Sequence, residues 1–149
     1  MFRTIMVASD GRETSYGVMV AARDLALALG SRVVAIHVVR VTVVRGALVP
    51  ASDEADLQRM VANQVRDLRL HGIDAVLRVR TRVATPLPRL IAESAVLEGA
   101  DLIITGTDRG GPIRWPFRSR LATALRRLSD RPVLTVPSTS PQGLPTGAG

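Results

Sequence analysis

The chain has 149 residues, 46% of them hydrophobic and 3% aromatic, enough for one packed domain and too few for two. Its net charge of +7 rests on 20 basic residues that are all arginine; without lysine, a phosphate-loop NTPase and a Schiff-base enzyme are both excluded. Zero cysteines exclude disulfides, thiol catalysis and cysteine-ligated metals, and His37 and His71 lack metal-type spacing, so no metal site is expected.

No apolar run approaches the roughly 20 residues of a membrane span, so no membrane partner is expected. The start, Met1-Phe2-Arg3-Thr4, lacks a signal-peptide layout, which predicts a cytoplasmic protein. Nucleic-acid binding wants aromatics interleaved with basic residues, and Phe2, Tyr16, Trp115 and Phe117 are too few and scattered for that.

Strand and helix patterns alternate along the chain. Thr4 to Ala8 reads as a short apolar strand ended by Ser9-Asp10-Gly11. A helix is predicted from about Ser15 to Leu29, with Val18, Ala21, Ala22, Leu25 and Leu29 at helical spacing and Gly30 closing it. Arg32 to about Val44 is β-branched almost throughout, the pattern of a central strand covered on both faces. A loop from Arg45 to Ala51 then leads to Ser52-Asp53-Glu54, read as a helix cap with acids in the first turn. Leu57, Met60, Val61, Val65 and Leu68 mark the inner face of that helix, which stops at His71-Gly72.

Ile73 to Val83 reads as a third strand. Pro86 and Pro88 introduce a helix through Leu90, Ile91, Ser94 and Ala95 that Gly99 ends. The fourth strand is Leu102 to Thr105, the fourth helix runs from about Pro116 to Leu128, and the fifth strand is Val133 to Val136. Residues 138–149 turn to Pro, Ser, Thr and Gly, the composition of a disordered tail behind a single domain of residues 1–137. The alternation specifies an α/β fold, a doubly wound open five-stranded parallel sheet with helices on both faces.

In such a sheet ligands bind beyond the carboxyl ends of the strands, where Asp10 and Gly106 fall. A glycine there lets a ligand approach the backbone, and a helix start just beyond offers free amides to an anion. Six arginines lie from Arg109 to Arg127 with no acid among them, either a solvated helix face or an anion-facing cluster. Asp10 suits a ribose or adenine-side contact as well as an Asx-type cap. His37, inside the apolar run Val33 to Val39, reads as a hydrogen-bonded core residue, and His71 as a helix terminus answering the dipole. Ser9, Ser15 and Ser119 have no base partner visible in the sequence, so no catalytic residue is assigned.

Several of these segments, taken in order, resemble the universal stress protein family over nearly the whole chain. The opening strand with Asp10-Gly11 and Ser15 is similar to the family's start, and Ala35-Ile36-His37-Val38-Val39 to its second strand. Glu98-Gly99-Ala100-Asp101-Leu102-Ile103-Ile104-Thr105-Gly106 resembles its helix-to-strand passage, and Arg131-Pro132-Val133-Leu134-Thr135-Val136 its last strand.

The resemblance implies strand order 3-2-1-4-5 and a homodimer paired through the fifth strand, acting on a protein partner that the sequence does not name. It implies a stress-response regulatory protein that takes ATP or another adenine nucleotide, or a phosphate-like anion. The implied binding residues are Ser9, Asp10, Val38, Gly106, Arg109, Gly110, Ser119 and Arg120, with Val38 offering backbone groups to adenine. ATP-binding members carry Gly-x-x-Gly, nine residues, then Gly-Ser or Gly-Thr. Here Gly106 holds the first place, Arg109 stands on the second glycine and Ser119-Arg120 on the closing pair. The usual ATP loop is thus degraded, which leaves a nucleotide-independent dimeric interaction module as the alternative and an ATP-hydrolysing or adenylyl-transferring enzyme as the least favoured reading.

Overall fold

The computed structural model describes residues 2–8, 16–107 and 115–137. In chain order they form β1 (Thr4–Ala8), α1 (Tyr16–Leu29), β2 (Arg32–Val44), β3 (Ala47–Pro50), α2 (Glu54–Leu70), β4 (Ala75–Arg82), α3 (Leu87–Leu97), β5 (Leu102–Thr107), α4 (Trp115–Leu128) and β6 (Val133–Pro137). Five strands are parallel and lie in the order β4-β2-β1-β5-β6, which is the expected 3-2-1-4-5 when only these are counted. The order differs in one detail, a sixth strand. Residues read as a loop contain β3, which pairs antiparallel with the end of β2 from Val41↔Pro50 to Val44↔Ala47. Arg45 and Gly46 join them with φ of 50° and 80°, the two positive values a two-residue type I′ hairpin turn requires.

The sheet carries a core on each face. Ile5, Val7, Val33, Ala35, Leu102 and Ile104 point towards α1 and α2, where Val18, Ala22, Val61, Val65 and Leu68 meet them. Met6, Val34, Ile36 and Ile103 point the other way, against Ile91, Ala92 and Ala95 of α3 and Leu125 of α4. This is the period-2 alternation of a strand buried on both faces. Each aliphatic side chain fully buried here contributes about 1.5–3 kcal/mol.

The helical spacing located the inner faces with local errors. In α2, Leu57, Val61, Val65 and Leu68 are buried, but Met60 is exposed, one position round from the stripe. In α1 the buried stripe is Val18, Met19, Ala22 and Ala26, while Leu29 is exposed at the helix end. β2 departs most from expectation. Its first half is covered on both faces, but from Arg40 onward it leaves the core, running four residues past its last pair with β4, Arg40↔Arg82.

Ion pairs and side-chain caps close the lower edge of the sheet, where the strands begin. The Asp101 carboxylate accepts from the backbone amides of Arg3 and Thr4 at 2.7 and 3.1 Å, fixing the entry to β1. Those two amides hold the Asp101 carboxyl below its ordinary range. The Arg131 guanidinium donates from Nε to the Ala100 carbonyl at 3.0 Å and ties the turn before β6 to the start of β5.

Candidate functional site

Backbone hydrogen-bond parity shows what the upper edge of β2 offers. In a strand, successive N–H and C=O pairs point to opposite sides. The Arg32 amide donates to Arg3 of β1, and the Val33 amide donates to Asp74 on the β4 side. Even-numbered residues of β2 therefore face β1. The β1 ladder is described as far as Ala8↔Ile36. The next even residue is Val38 and the one after it is Arg40. Arg40 is engaged on that edge, its amide donating to Glu54 Oε1 at 3.0 Å and its carbonyl accepting from the Ala51 amide at 3.1 Å. Between the end of β1 and the start of the β3 arm, Val38 presents its N–H and C=O with no partner among the described residues.

β1 is the topological switch point, since the chain leaves it for β2 on one side and reaches β5 on the other. β5 pairs with β1 through Val7↔Ile104 and runs on to Thr107. Gly106 thus stands beyond the described pairs of that ladder, and among the described residues its register partner is Val136 of β6. Val38 and Gly106 flank the mouth above β1. Gly106 also has a packing reason to be glycine. An added Cβ would lie 3.2 Å from Val18 Cγ2 of α1 and 3.7 Å from the Val136 carbonyl oxygen.

Of the other predicted binding residues, Ser9, Asp10, Arg109 and Gly110 lie outside the described residues. Ser119 and Arg120 are the fifth and sixth residues of α4, which begins at Trp115, one residue before the expected Pro116. By helix geometry the Ser119 amide is directed at the Trp115 carbonyl four residues earlier. α4 in turn packs on β5 and β6.

The mouth has a second feature, which the sequence reading missed. His37 points to the α2 side of the sheet, and its Nε2 lies 2.8 Å from Glu54 Oε2, with the two side chains 1% and 4% exposed. A carboxylate only accepts, so Nε2 carries the proton. His37 Nδ1 is buried without a hydrogen-bond partner among the described residues. Arg40 completes the group, its Nη2 donating to Asp53 Oδ1 at 2.8 Å and its Nε lying 3.6 Å from Glu54 Oε1.

Burial works against the charged form of Glu54, but the Arg40 amide, the His37 hydrogen bond and the electrostatic attraction of His37 and Arg40 outweigh it, so the pKa is lowered from its ordinary 4.5. Ser52-Asp53-Glu54 is therefore no ordinary cap: Asp53 stands at the N-cap without a side-chain capping bond, and its carboxylate serves Arg40 instead. The histidine was read correctly as a hydrogen-bonded core residue. Its partner was legible only as an acid in the first turn of the following helix.

No helix among the described residues is long and apolar enough to cross a membrane. His71 caps α2, its Nδ1 2.8 Å from the Asp67 carbonyl oxygen, as expected of a residue at the negative end of a helix.

Comparison with known proteins bears on all of this. The sequence pattern of the universal stress protein family matches residues 1–137. No curated protein matches the chain. Among solved structures, a universal stress protein family member from Burkholderia pseudomallei is 24% identical, with a TM-score of 0.69 over 92% of this chain and 97% of its own. The Archaeoglobus fulgidus universal stress protein in complex with dAMP is 20% identical, with a TM-score of 0.68 over 91% and 98%. A universal stress protein in complex with cAMP is 18% identical, with a TM-score of 0.69 over 93% and 98%. At these identities the likeness establishes the fold.

Proposed function

The chain belongs to the universal stress protein family, and from that premise we propose that it is a cytoplasmic stress-response regulatory dimer whose mouth above β1 takes an adenine nucleotide or a compact phosphate-like anion. The observation that carries this reading is the backbone of Val38. One N–H and one C=O on the same edge match the acceptor and donor that adenine presents side by side, and relatives of the same fold are seen with dAMP and cAMP. Gly106 on the far side of the mouth has no side chain to stand against an approaching ligand. Asp10 then serves the ribose, while Ser9, Gly110 and Ser119 line the phosphate side.

Arg109 and Arg120 set the preference. They stand where ATP-binding relatives carry small residues, near the start of a helix, where negative charge is favoured. Guanidinium forks make charge-assisted bonds of about 1.5–3 kcal/mol each, enough for a weak anion site if two converge. Their bulk crowds a triphosphate, so AMP-like ligands or phosphate are bound in preference to ATP-Mg. The role is binding and not catalysis, and the fifth parallel strand, β6, supplies the dimer contact.

Isothermal calorimetry with AMP, ATP and phosphate on the wild type and on Arg109→Gly tests this. The expected result is tighter AMP or phosphate than ATP in the wild type, and a gain in ATP affinity in the variant. Low-micromolar ATP binding by the wild type with no gain in the variant overturns the blocked-loop reading.

A second reading, a nucleotide-independent dimeric interaction module, is favoured by one observation. The contact a Cβ at Gly106 would make with Val18 accounts for that glycine without a ligand. A thermal-shift screen separates the two. A bound ligand at 100 times its dissociation constant stabilises by about 2.7 kcal/mol, whereas the interaction module shows no shift with any nucleotide or with phosphate.

A further inference from the structure

The arm formed by Val41–Val44 and Ala47–Pro50 is unlike the rest of the surface. Cross-strand pairing puts Val41, Val43, Leu48 and Pro50 on one face and Thr42, Val44, Ala47 and Val49 on the other, so both faces are apolar. Val43 is 70% exposed, Val44 50%, Leu48 53% and Val49 40%. Two strands alone are marginal in water, and four large aliphatics in so short an exposed ribbon call for something to cover them. Arginine is abundant around the arm; Arg40 is paired with Asp53 and Glu54, Arg78 and Arg80 with Glu98, and Arg89 with Glu93, which leaves Arg45 and Arg82 without an ion pair among the described residues. Residues 38–52 contain Arg40 and Arg45 and no acid, and residues 75–92 contain Arg78, Arg80, Arg82 and Arg89 and no acid. Arg82 lies beside Arg40 in register, and exposed Val83 follows it. At the tip, Arg45 holds a left-handed φ of 50° where such turns favour asparagine or glycine, so a charge is kept there against backbone preference.

We propose that this arm docks on the surface of an anionic lipid bilayer, its apolar tip entering the headgroup layer while Arg45 and Arg82 meet lipid phosphates. A ribbon apolar on both faces suits a medium that surrounds it, because a flat protein partner would cover one face and leave the other in water. Electrostatics points the same way. A second copy docking arm to arm would set Arg45 and Arg82 against the same two arginines, whereas an anionic leaflet attracts them. Open strand edges are not tolerated in hydrocarbon, so the arm lies at interfacial depth, about 5–10 Å, where water still reaches them. Four residues of strand span about 13 Å, enough for that depth. This mode engages the membrane surface without crossing it, and so differs from the sequence expectation of no membrane partner, which rested on spanning segments alone. The inference is independent of the nucleotide reading.

The test is sedimentation of the full chain with phosphatidylcholine vesicles made with and without phosphatidylserine. Each arginine near an anionic leaflet strengthens binding about five-fold, so Arg45 and Arg82 together give about thirty-fold preference for the anionic vesicles. Val43→Asp combined with Leu48→Asp should weaken that binding at least ten-fold at unchanged far-ultraviolet circular dichroism. Because the chain has no cysteine, Val44→Cys takes a single polarity-sensitive dye, which should shift to the blue on anionic vesicles. The same dye at Leu70→Cys, at the far end of α2, should not shift. The labelled chain also keeps the test valid if the aspartate variant fails to fold. Two results overturn the proposal: anionic vesicles bound equally well by the aspartate variant with no dye shift at position 44, or no vesicle binding with an assembly larger than a dimer that the aspartate variant dissolves. The second result would assign the arm to a second copy of the chain.

Discussion

Glu54→Ala is the substitution that most directly probes the mouth above β1. The carboxylate it removes accepts from the His37 ring at 2.8 Å and from the Arg40 amide at 3.0 Å, with the His37 and Glu54 side chains almost wholly out of water. Its loss leaves one buried donor, the His37 ring N–H, without a partner at about 1–3 kcal/mol, frees the part-buried Arg40 amide at a smaller cost, and opens a small void. The sum is about 2–4 kcal/mol. In a domain of this size that lowers Tm by roughly 10 °C, from about 2–4 °C per kcal/mol. Urea unfolding followed by circular dichroism reads it as a lower midpoint at unchanged slope.

The pH dependence of the same network has a definite sign. Glu54 has a lowered pKa in the folded chain, so its contribution is present above the unfolded value, near 4.5, and is lost as the pH falls through the folded value. The stability gap between wild type and Glu54→Ala should therefore be flat at neutral pH and close as acid is added. Glu54→Gln keeps the shape and one acceptor, so it should cost less and lose most of that acid dependence. A gap below about 1 kcal/mol for the alanine variant, or one that widens on acidification, refutes the reasoning.

Three further outcomes are expected. Gly106→Ala should destabilise by about 1 kcal/mol because its Cβ presses on Val18 at 3.2 Å, and Val18→Ala added to it should recover part of that on thermal unfolding. Leu134→Asp, on the outer edge strand β6 where Leu134 is 39% exposed, should convert the proposed dimer to monomer in light scattering; an unchanged mass would place the contact elsewhere. Asp101→Asn should speed amide exchange at Arg3 and Thr4, and the wild-type advantage should fade in acid, because the Asp101 carboxyl is held below its ordinary range by those amides.

The doubly wound fold was legible because burial on both faces leaves long β-branched runs, as in Val33 to Val39, separated by amphipathic helices closed by glycines such as Gly72. What escaped were features set by partners distant in sequence. Arg45-Gly46 lies between apolar residues on both sides, but arginine in place of asparagine hid the hairpin, and a loop was expected. Glu54 follows Ser52-Asp53 and so resembles a first-turn acid. Only the register of β2 shows that it reaches back to His37. Of the candidate site, Gly106 is legible from the pattern of strand ends and Val38 only from the family resemblance. That the Val38 backbone pair has no partner among the described residues could not be read, because it depends on the register of β2 against both β1 and β3.

That last point limits how the mouth can vary among related chains. Every second residue of β2 faces the same edge, and Val38 is the single such residue between Ile36, the last described in the β1 ladder, and the bonds made by Arg40. Inserting one residue between Ile36 and Arg40 would turn the arm's hydrogen-bonding side towards β4 and abolish the arrangement. Inserting two would restore the arm and present a second N–H and C=O pair beside the first. The width of the opening is therefore quantised: a ligand-binding edge built on this strand grows or shrinks in steps of two residues, about 7 Å at a time.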